Sequence, residues 1–141
     1  MDDDGWDYLI ILDACRYDYF AILHRYFFEG DLEKRFSRGI DTPSWCRNTF
    51  TKYYGDIVYI SGNPYINSRM CVKGCDAGRR FYGVKGLREP YKKNLELVLK
   101  YVATLVDRIF GMKPDARIVM TSDHGELLGE EGLFNHGIDH L

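Results

Sequence analysis

The fold is decided by Tyr8–Leu12, whose sequence Tyr-Leu-Ile-Ile-Leu is a continuous apolar run that ends abruptly at Asp13. Residues 56–60 and 116–120 are two further runs of strand length, which end before Ser-Gly-Asn-Pro and Thr-Ser-Asp-His-Gly, respectively. Continuous rather than alternating hydrophobicity predicts strands that are covered on both faces, as in parallel sheets. The three runs therefore predict a buried, mostly parallel sheet.

Helices are predicted between these strands. One begins near Pro90, a residue favoured in the first turn of a helix, and runs to Phe110. Its apolar stripe at helical spacing consists of Leu95, Val98, Leu99, Val102, Val106 and Ile109. Another helix is predicted over residues 17–28, with one face formed by Tyr19, Ile22, Leu23 and Tyr26. The alternation predicts an α/β fold in which a mostly parallel sheet is flanked by helices.

The composition is typical of one globular domain that covers residues 1–141. The chain is 45% hydrophobic and 15% aromatic, which suffices for a packed core. Its net charge of −2 predicts no nucleic-acid partner. Residues 69–93 nevertheless hold eight basic and two acidic residues, most of them in a long loop expected at about residues 65–89. We interpret this basic loop as one that steers an anionic substrate; an anion- or nucleic-acid-binding module is the alternative.

The N-terminus and the cysteines predict a cytoplasmic protein. The first residues have neither a basic start nor an apolar core run, so no secretory signal is expected. No apolar run is long enough to span a membrane. The four cysteines are expected to be free thiols, although Cys71 and Cys75 leave a zinc or redox site open as an alternative. The sequence leaves the oligomeric state open.

Polar residues follow two of the predicted strands directly. Asp13 follows the first, and Asp123-His124 follows the third. In open parallel sheets, ligands bind beyond the carboxyl ends of the strands, where these side chains would meet. Carboxylate and imidazole groups can together bind Zn²⁺ or Mn²⁺. Alternatively, Asp123 caps a helix beginning near Glu126 and His124 is merely packed, but the additional carboxylate of Asp13 favours a divalent-metal site.

Several motifs resemble those of the alkaline phosphatase/sulfatase superfamily. Residues 12–18, Leu-Asp-Ala-Cys-Arg-Tyr-Asp, and residues 121–130, Thr-Ser-Asp-His-Gly-Glu-Leu-Leu-Gly-Glu, carry most of the resemblance. Residues 42–45, Thr-Pro-Ser-Trp, and 59–64, Tyr-Ile-Ser-Gly-Asn-Pro, are similar to intervening motifs of an uncharacterised sulfatase-like branch in archaea and bacteria. The resemblance implies an alkaline phosphatase-like core, incomplete in this chain, and hydrolysis of phosphate or sulfate esters.

The resemblance also implies a metal site and a nucleophile. Asp13, Asp123 and His124 would hold one divalent ion, which could be Mn, Zn, Mg or Ca. Thr42 would be a metal-bound hydroxyl nucleophile that forms a covalent intermediate with the substrate, with Ser44 as the main alternative. This intermediate would then be hydrolysed by water.

Three further residues receive roles through the same resemblance. His136 would bind the oxyanion of the substrate, supply a proton or complete a second metal site. Arg16 or Asn63 would stabilise charge that develops on the equatorial oxygens of the transferred group. The expected partner is therefore an anionic ester substrate.

The sequence departs from the superfamily in ways that narrow these expectations. Neither Cys15 nor Cys46 stands in a Cys-x-(Pro/Ala)-x-Arg motif, so formylglycine is not expected and phosphate or phosphonate esters, or phospholipid-headgroup transfer, are favoured over sulfate. Residues 65–115 contain no histidine, so the Asp-x-x-x-His element of two-metal members is absent and a single metal is expected. The chain is also short for this superfamily. The alternative function is therefore that of a truncated, catalytically inactive protein that binds only a metal or an anionic partner.

Overall fold

The structure is a computed structural model that describes residues 5–51, residue 58 and residues 84–135. The elements in these ranges, in chain order, are β1 (Tyr8–Leu12), α1 (Tyr17–Leu23), α2 (Thr42–Thr49), α3 (Val84–Met112), β2 (Ile118–Ser122), β3 (Leu127–Leu128) and β4 (Phe134–Asn135). Short 3₁₀ turns lie at His24–Tyr26 and Glu130–Gly132. The described part of the chain is thus a mixed α/β structure.

The parallel sheet predicted from the apolar runs is present as the pair β1–β2. The register runs from Tyr8 opposite Ile118 to Leu12 opposite Ser122. β2 lies two residues further along the chain than expected, since Thr121 and Ser122 continue the pairing with β1. The strand predicted at residues 56–60 lies outside the described residues except for residue 58, so the wider alkaline phosphatase-like sheet stays a prediction.

A second, antiparallel pair follows directly after β2. Leu127 pairs with Asn135, and Leu128 pairs with Phe134. Leu128 is almost completely buried, with 1% of its surface exposed. The chain after Asp123-His124 therefore forms strand and turn structure rather than the helix that the capping interpretation requires.

Helix α3 is longer than the sequence pattern predicts. It begins at Val84, six residues before the expected start, and contains Pro90 within its second turn. Proline there removes one backbone hydrogen bond from this 29-residue helix. The predicted start at Pro90 was wrong, since the helix begins six residues earlier and contains the proline despite that loss.

The apolar stripe of α3 is largely confirmed. Leu95, Leu99 and Ile109 are buried, and Val102 packs beside them against the core. Val98 is the exception, since 45% of its surface is exposed. The stripe is therefore narrower than predicted.

Helix α1 ends earlier than the prediction of residues 17–28. It stops at Leu23 and continues as the 3₁₀ turn His24–Tyr26, with backbone N–H groups of residues 27 and 28 donating to the His24 carbonyl. Leu23 is buried, but Ile22 and Tyr26 are 59% and 74% exposed. The predicted continuous face was wrong: Ile22 already lies on the outer side of the α-helix, and the tighter 3₁₀ turn changes the direction of the later side chains, such as Tyr26.

A cluster of buried residues joins α1 and α3 to the end of β1. It consists of Leu12, Cys15, Leu23, Leu95 and Leu99. These contacts hold the segment after β1, which includes Asp13, between the sheet and α3. Burial raises the pKa of the Cys15 thiol to about 12, with Asp18 and Asp123 adding to the effect, so this cysteine is a core residue that stays protonated at neutral pH.

Replacing Leu99, which has no exposed surface, tests this core. We expect Leu99→Ala to lower the free energy of unfolding by about 2–5 kcal/mol, because it removes buried methyl groups and leaves a cavity. Urea denaturation followed by circular dichroism measures the change. Leu97→Ala on the same helix is the matched control, since Leu97 is 53% exposed and should cost roughly 0.5 kcal/mol or less. Equal losses for the two variants would contradict the packing described here.

Candidate metal centre

The carboxyl ends of β1 and β2 bring three candidate ligands together. Asp13, Asp123 and His124 each offer one atom, and these atoms all lie within 4.8 Å of one another. The cause is the parallel register, because Leu12 and Ser122 form the last pair and the next residue on each strand is an aspartate. The predicted convergence of these side chains is therefore present in the structure.

Spacing and chemistry both fit a divalent cation. The Nε2 atom of His124 is 3.7 Å from Oδ1 of Asp13 and 3.5 Å from Oδ2 of Asp123. Two ligand atoms that each lie about 2.1 Å from one ion in a tetrahedral arrangement are about 3.4 Å apart. Two carboxylates and an imidazole are also a donor set suited to Zn²⁺ or Mn²⁺. The residues thus fit the predicted metal, whose presence stays a prediction.

The Asp123 carboxylate is buried, with 1% of the residue exposed, and three donors satisfy it. Its Oδ1 atom accepts hydrogen bonds from the backbone N–H groups of Ala14, at 3.1 Å, and His124, at 2.9 Å. Its Oδ2 atom accepts a hydrogen bond from the Thr42 hydroxyl at 2.7 Å. An ionised carboxylate requires such partners when it leaves water. No described helix follows Asp123 near Glu126, so the interpretation of Asp123 as a helix cap was wrong.

His124 is buried with its Nε2 atom directed at the other candidate ligands. Its Nδ1 atom lies 2.9 Å from the carbonyl oxygen of Gly125, which can only accept a hydrogen bond. Nδ1 must therefore carry the proton in this contact, and in the neutral ring Nε2 keeps its lone pair for a metal. A backbone carbonyl that fixes the tautomer in this way is a common second partner of metal-binding histidines.

Asp13 is the open side of the centre. Its side chain is 58% exposed, whereas the side chains of Asp123 and His124 are each 2% exposed. A cation or an anionic substrate could therefore approach from the Asp13 side without any rearrangement of the core.

Thr42 reaches the centre from the start of α2. Besides donating to Asp123, its Oγ1 atom lies 3.4 Å from Nε2 of His124. The helix start is well specified, since Asp41 caps it by accepting from the backbone N–H of Ser44 at 2.7 Å, with Pro43 in the first turn. Local sequence thus positions Thr42 at the helix end that faces the strands.

Close packing before α2 supports this approach. A side chain at Gly39 would overlap the backbone nitrogen of Trp45, so only glycine lets the chain pass so near the helix. The hydroxyl of Ser37 lies within hydrogen-bond distance of the backbone carbonyls of Asp123 and Gly39, and its one proton can be donated to either of them. These contacts tie the segment before α2 to the metal centre.

The alternative hydroxyl, Ser44, has a different role in the structure. Its Oγ atom donates to the Asp41 carbonyl at 3.0 Å and accepts from the backbone N–H groups of Ile40 and Asp41. This side chain completes the capping box of α2. Of the two candidate nucleophiles, Thr42 is the one that contacts the candidate metal ligands.

Arg16 is tightly paired with carboxylates. Its guanidinium donates to both carboxylate oxygens of Asp18, at 3.0 and 2.7 Å, to Glu130 at 2.8 Å, and to the carbonyl of Glu126 at 3.0 Å. The predicted contact of Arg16 with substrate oxygens stays a prediction. Asn63 and His136 lie outside the described residues, so their predicted roles are likewise untested.

Glu130 forms hydrogen bonds with Arg16 and with backbone N–H groups, and we expect these contacts to be lost in acid. Burial would raise its pKa, but hydrogen bonds from Arg16 and from backbone N–H groups outweigh that effect and lower the pKa to about 2. Because the folded pKa lies below the ordinary value, this stabilisation is present above about pH 4.5 and is lost as the pH falls toward 2. Unfolding experiments across this range should therefore show a weaker acid dependence for Glu130→Gln than for the wild type; identical slopes would contradict the contact.

Two residues that support the centre were not predicted. The Ser122 hydroxyl accepts from the backbone N–H of Cys15 at 2.9 Å and lies 2.9 Å from the carbonyl of Leu12. The Tyr91 hydroxyl contacts the same turn from α3. Ser122 stands directly before Asp123 and could have been noticed there, whereas nothing in the sequence pattern distinguishes Tyr91 from other tyrosines.

Comparison with known proteins yields one short similarity. The chain is 38% identical over 56 residues to the low-salt glycan biosynthesis sulfotransferase Agl7 of Haloferax volcanii. The match covers 38% of this chain and 14% of that protein. No family model and no solved structure matches the chain. Membership of the alkaline phosphatase/sulfatase superfamily therefore stays a prediction.

The described helices differ from membrane-spanning helices in length or in composition. None of them is both long enough and apolar enough to cross a bilayer. This agrees with the expectation from the sequence for that part of the chain, and the predicted cytoplasmic location stays a prediction.

Proposed function

We propose that this chain carries the nucleophile and metal ligands of a divalent-metal-dependent enzyme that transfers a sulfuryl or phosphoryl group from an ester. The observation that carries the proposal is the 2.7 Å hydrogen bond from the Thr42 hydroxyl to Asp123, inside the cluster that Asp13 and His124 complete. A hydroxyl, two carboxylates and an imidazole at one strand edge are the groups that such chemistry requires.

The contacts of Thr42 give the residues their roles. Its hydroxyl donates its proton to Asp123, the carboxylate that would accept this proton when the Thr42 oxygen attacks. A bound divalent ion would lower the pKa of this hydroxyl and neutralise charge on the transferred group. Asp123 and His124 hold Thr42 in place from the buried side, while the exposed Asp13 faces the solvent from which the substrate arrives.

The proposed reaction has two balanced halves. In the first, Thr42 Oγ1 bonds to the sulfur or phosphorus, the ester oxygen leaves with the bonding electron pair, and the hydroxyl proton passes to Asp123, which already accepts the hydrogen bond of Thr42. In the second, the oxygen of water or of an acceptor hydroxyl attacks the same sulfur or phosphorus. Thr42 then leaves with the bonding pair and regains a proton. Water as acceptor gives hydrolysis, and a sugar hydroxyl gives group transfer.

The comparison bears on the choice of group and acceptor. The absent formylglycine motif favoured phosphate esters, whereas the similarity to a protein named as a glycan biosynthesis sulfotransferase supports sulfuryl transfer. We therefore propose that sulfate esters belong to the substrate range and that a sugar hydroxyl acts as an acceptor beside water.

A direct test uses 4-nitrophenyl sulfate and 4-nitrophenyl phosphate as donors. Each is incubated with the purified chain plus Mn²⁺, Zn²⁺, Mg²⁺ or Ca²⁺, or plus EDTA, and with or without a hexose. We expect metal-dependent nitrophenol release that EDTA abolishes, and mass spectrometry should detect the modified hexose if transfer competes with hydrolysis. Nitrophenol release that is unaffected by EDTA would contradict the proposal.

A second candidate function is metal binding without turnover. It is favoured by Arg16, the cation expected beside the substrate, whose charge is already engaged by Asp18 and Glu130. Stoichiometric metal binding without nitrophenol release from either donor would support this candidate and contradict the first.

A further inference from the structure

The turn between β1 and α1 has an unusual backbone. Ala14 adopts φ of +53°, in the left-handed region that non-glycine residues seldom enter. Asp13, a candidate metal ligand, immediately precedes this residue. The direction of the Asp13 side chain therefore depends on a turn conformation that the surrounding structure has to maintain.

Tyr91 contacts this turn from α3, far away in the sequence. Its hydroxyl donates to the carbonyl oxygen of Ala14 at 2.8 Å and accepts from the backbone N–H of Arg16 at 2.8 Å. One hydroxyl thus bridges the backbone on both sides of Cys15. Burial raises the pKa of Tyr91 to about 12, so the hydroxyl keeps the proton that it donates.

The metal centre holds the opposite side of the same turn. The backbone N–H of Ala14 donates to Asp123 Oδ1 at 3.1 Å, and that of Cys15 donates to the Ser122 hydroxyl at 2.9 Å. The turn is therefore clamped between β2 and α3. The carbonyl of Ala14 accepts from the Tyr91 hydroxyl and its N–H donates to Asp123, so this one residue connects the two side chains.

We propose that Tyr91 is a positioning residue of the metal centre: its hydroxyl fixes the Ala14 turn and thereby places Asp13 and the N–H group that Asp123 accepts. This inference rests on the proposed metal-dependent function. Without the hydroxyl, the Ala14 carbonyl and the Arg16 N–H lose a partner, and Ala14 can relax out of the left-handed region. Asp13 would then leave the common ligand position, and metal affinity would fall.

The hydroxyl can be tested apart from the ring. The Tyr91 ring packs edge-on against Tyr19, with ring centroids 5.2 Å apart, beside the core cluster. Tyr91→Phe keeps this packing and removes only the hydroxyl. Tyr19→Phe is the matched control, because it removes a hydroxyl that makes no described hydrogen bond with the turn and keeps the ring over which the Arg16 guanidinium lies, 5.4 Å from its centroid.

Isothermal titration of the whole chain with Mn²⁺ and with Zn²⁺ measures the effect. We expect the Kd of Tyr91→Phe to rise about 10- to 100-fold at unchanged stoichiometry, the usual range for removing a group that orients a metal ligand. Tyr19→Phe should stay within about twofold of the wild type. Circular dichroism of the metal-free proteins checks that each variant is folded.

A rescue variant separates positioning from a general loss of structure. Glycine enters the left-handed region without strain, so Tyr91→Phe combined with Ala14→Gly should recover most of the lost metal affinity. Wild-type affinity in Tyr91→Phe would overturn the positioning role, and so would an affinity loss that Ala14→Gly leaves unchanged. A wild-type chain that binds neither metal would instead refute the proposed metal centre itself, so the two failures are distinguishable.

Discussion

Asp123→Asn is expected to abolish measurable binding of Mn²⁺ or Zn²⁺, with a Kd raised more than about 100-fold. The substitution removes the charge of the buried ligand but keeps an oxygen that can accept from the Ala14 and His124 N–H groups. The effect should exceed that of Tyr91→Phe, because a ligand is lost rather than reoriented. Isothermal titration calorimetry measures the difference directly.

Although Asp123→Asn should lose metal affinity, we do not expect it to lose stability in the absence of metal. A buried carboxylate without a cation carries a desolvation penalty, and the neutral amide avoids it. The metal-free Asp123→Asn protein should therefore be at least as stable as the metal-free wild type. Added metal at 100 times its Kd should stabilise the wild type by about 2.7 kcal/mol and leave the variant unchanged.

Asp115→Asn provides the control for Asp123→Asn. Asp115 is exposed and precedes β2, at the opposite end of the strand from the metal centre. This variant loses the same charge without touching the cluster, so its metal affinity should equal that of the wild type. If Asp123→Asn also binds metal with near wild-type affinity, the ion is held by other residues and the centre described here is wrong.

Thr42→Ala is expected to lower turnover on the order of 10³-fold or more while leaving metal binding within about tenfold of the wild type. The variant removes the hydroxyl but keeps both carboxylates and the imidazole of His124. Initial rates of nitrophenol release from the sulfate and phosphate donors give the loss of turnover, and calorimetry gives the metal affinity. This separation of catalysis from binding is the expected property of a nucleophile.

Two variants test whether Thr42, rather than another hydroxyl, is the nucleophile. Thr42→Ser keeps a hydroxyl and should retain measurable turnover. Ser44→Ala removes the capping box of α2 and should cost about 1 kcal/mol of stability without removing the reacting group. If Ser44→Ala abolishes turnover and Thr42→Ala does not, the assignment of Thr42 is wrong.

Much of the β1–β2 pair could be predicted from the sequence. The apolar run before Asp13 favours a strand, and its parallel pairing with the run predicted at residues 116–120 is present two residues further along, at 118–122. The expected burial of both faces was wrong for the described part of the chain, where Leu12 is buried but the rest of both strands is only partly covered or exposed. Helix ends were less predictable, as the starts and stops of α1 and α3 demonstrate. Pro90 favours a helix start by its own preference, but it lies in the second turn of α3, so this local preference could not locate the start.

The part of the site that lies at the strand ends could be predicted from the sequence. Asp13 and Asp123-His124 each follow a strand, and parallel strands deliver such residues to one edge. The contact of Thr42 with this edge was inferred only through a family resemblance, since 81 residues separate it from Asp123. Spacing alone could not choose between Thr42 and Ser44, which are two residues apart in the same helical turn.

The sequence by itself determined which residues end up at the strand edge, because hydrophobic burial selects the strands and the register of a parallel pair then places their next residues side by side. Tertiary structure alone decided how those residues are held. The Thr42 contact, the satisfied Asp123 carboxylate and the Tyr91 clamp on Ala14 each join groups that are 77 to 109 residues apart. Hydrogen bonds of that kind depend on angstrom-scale placement of packed elements, which no local sequence pattern encodes.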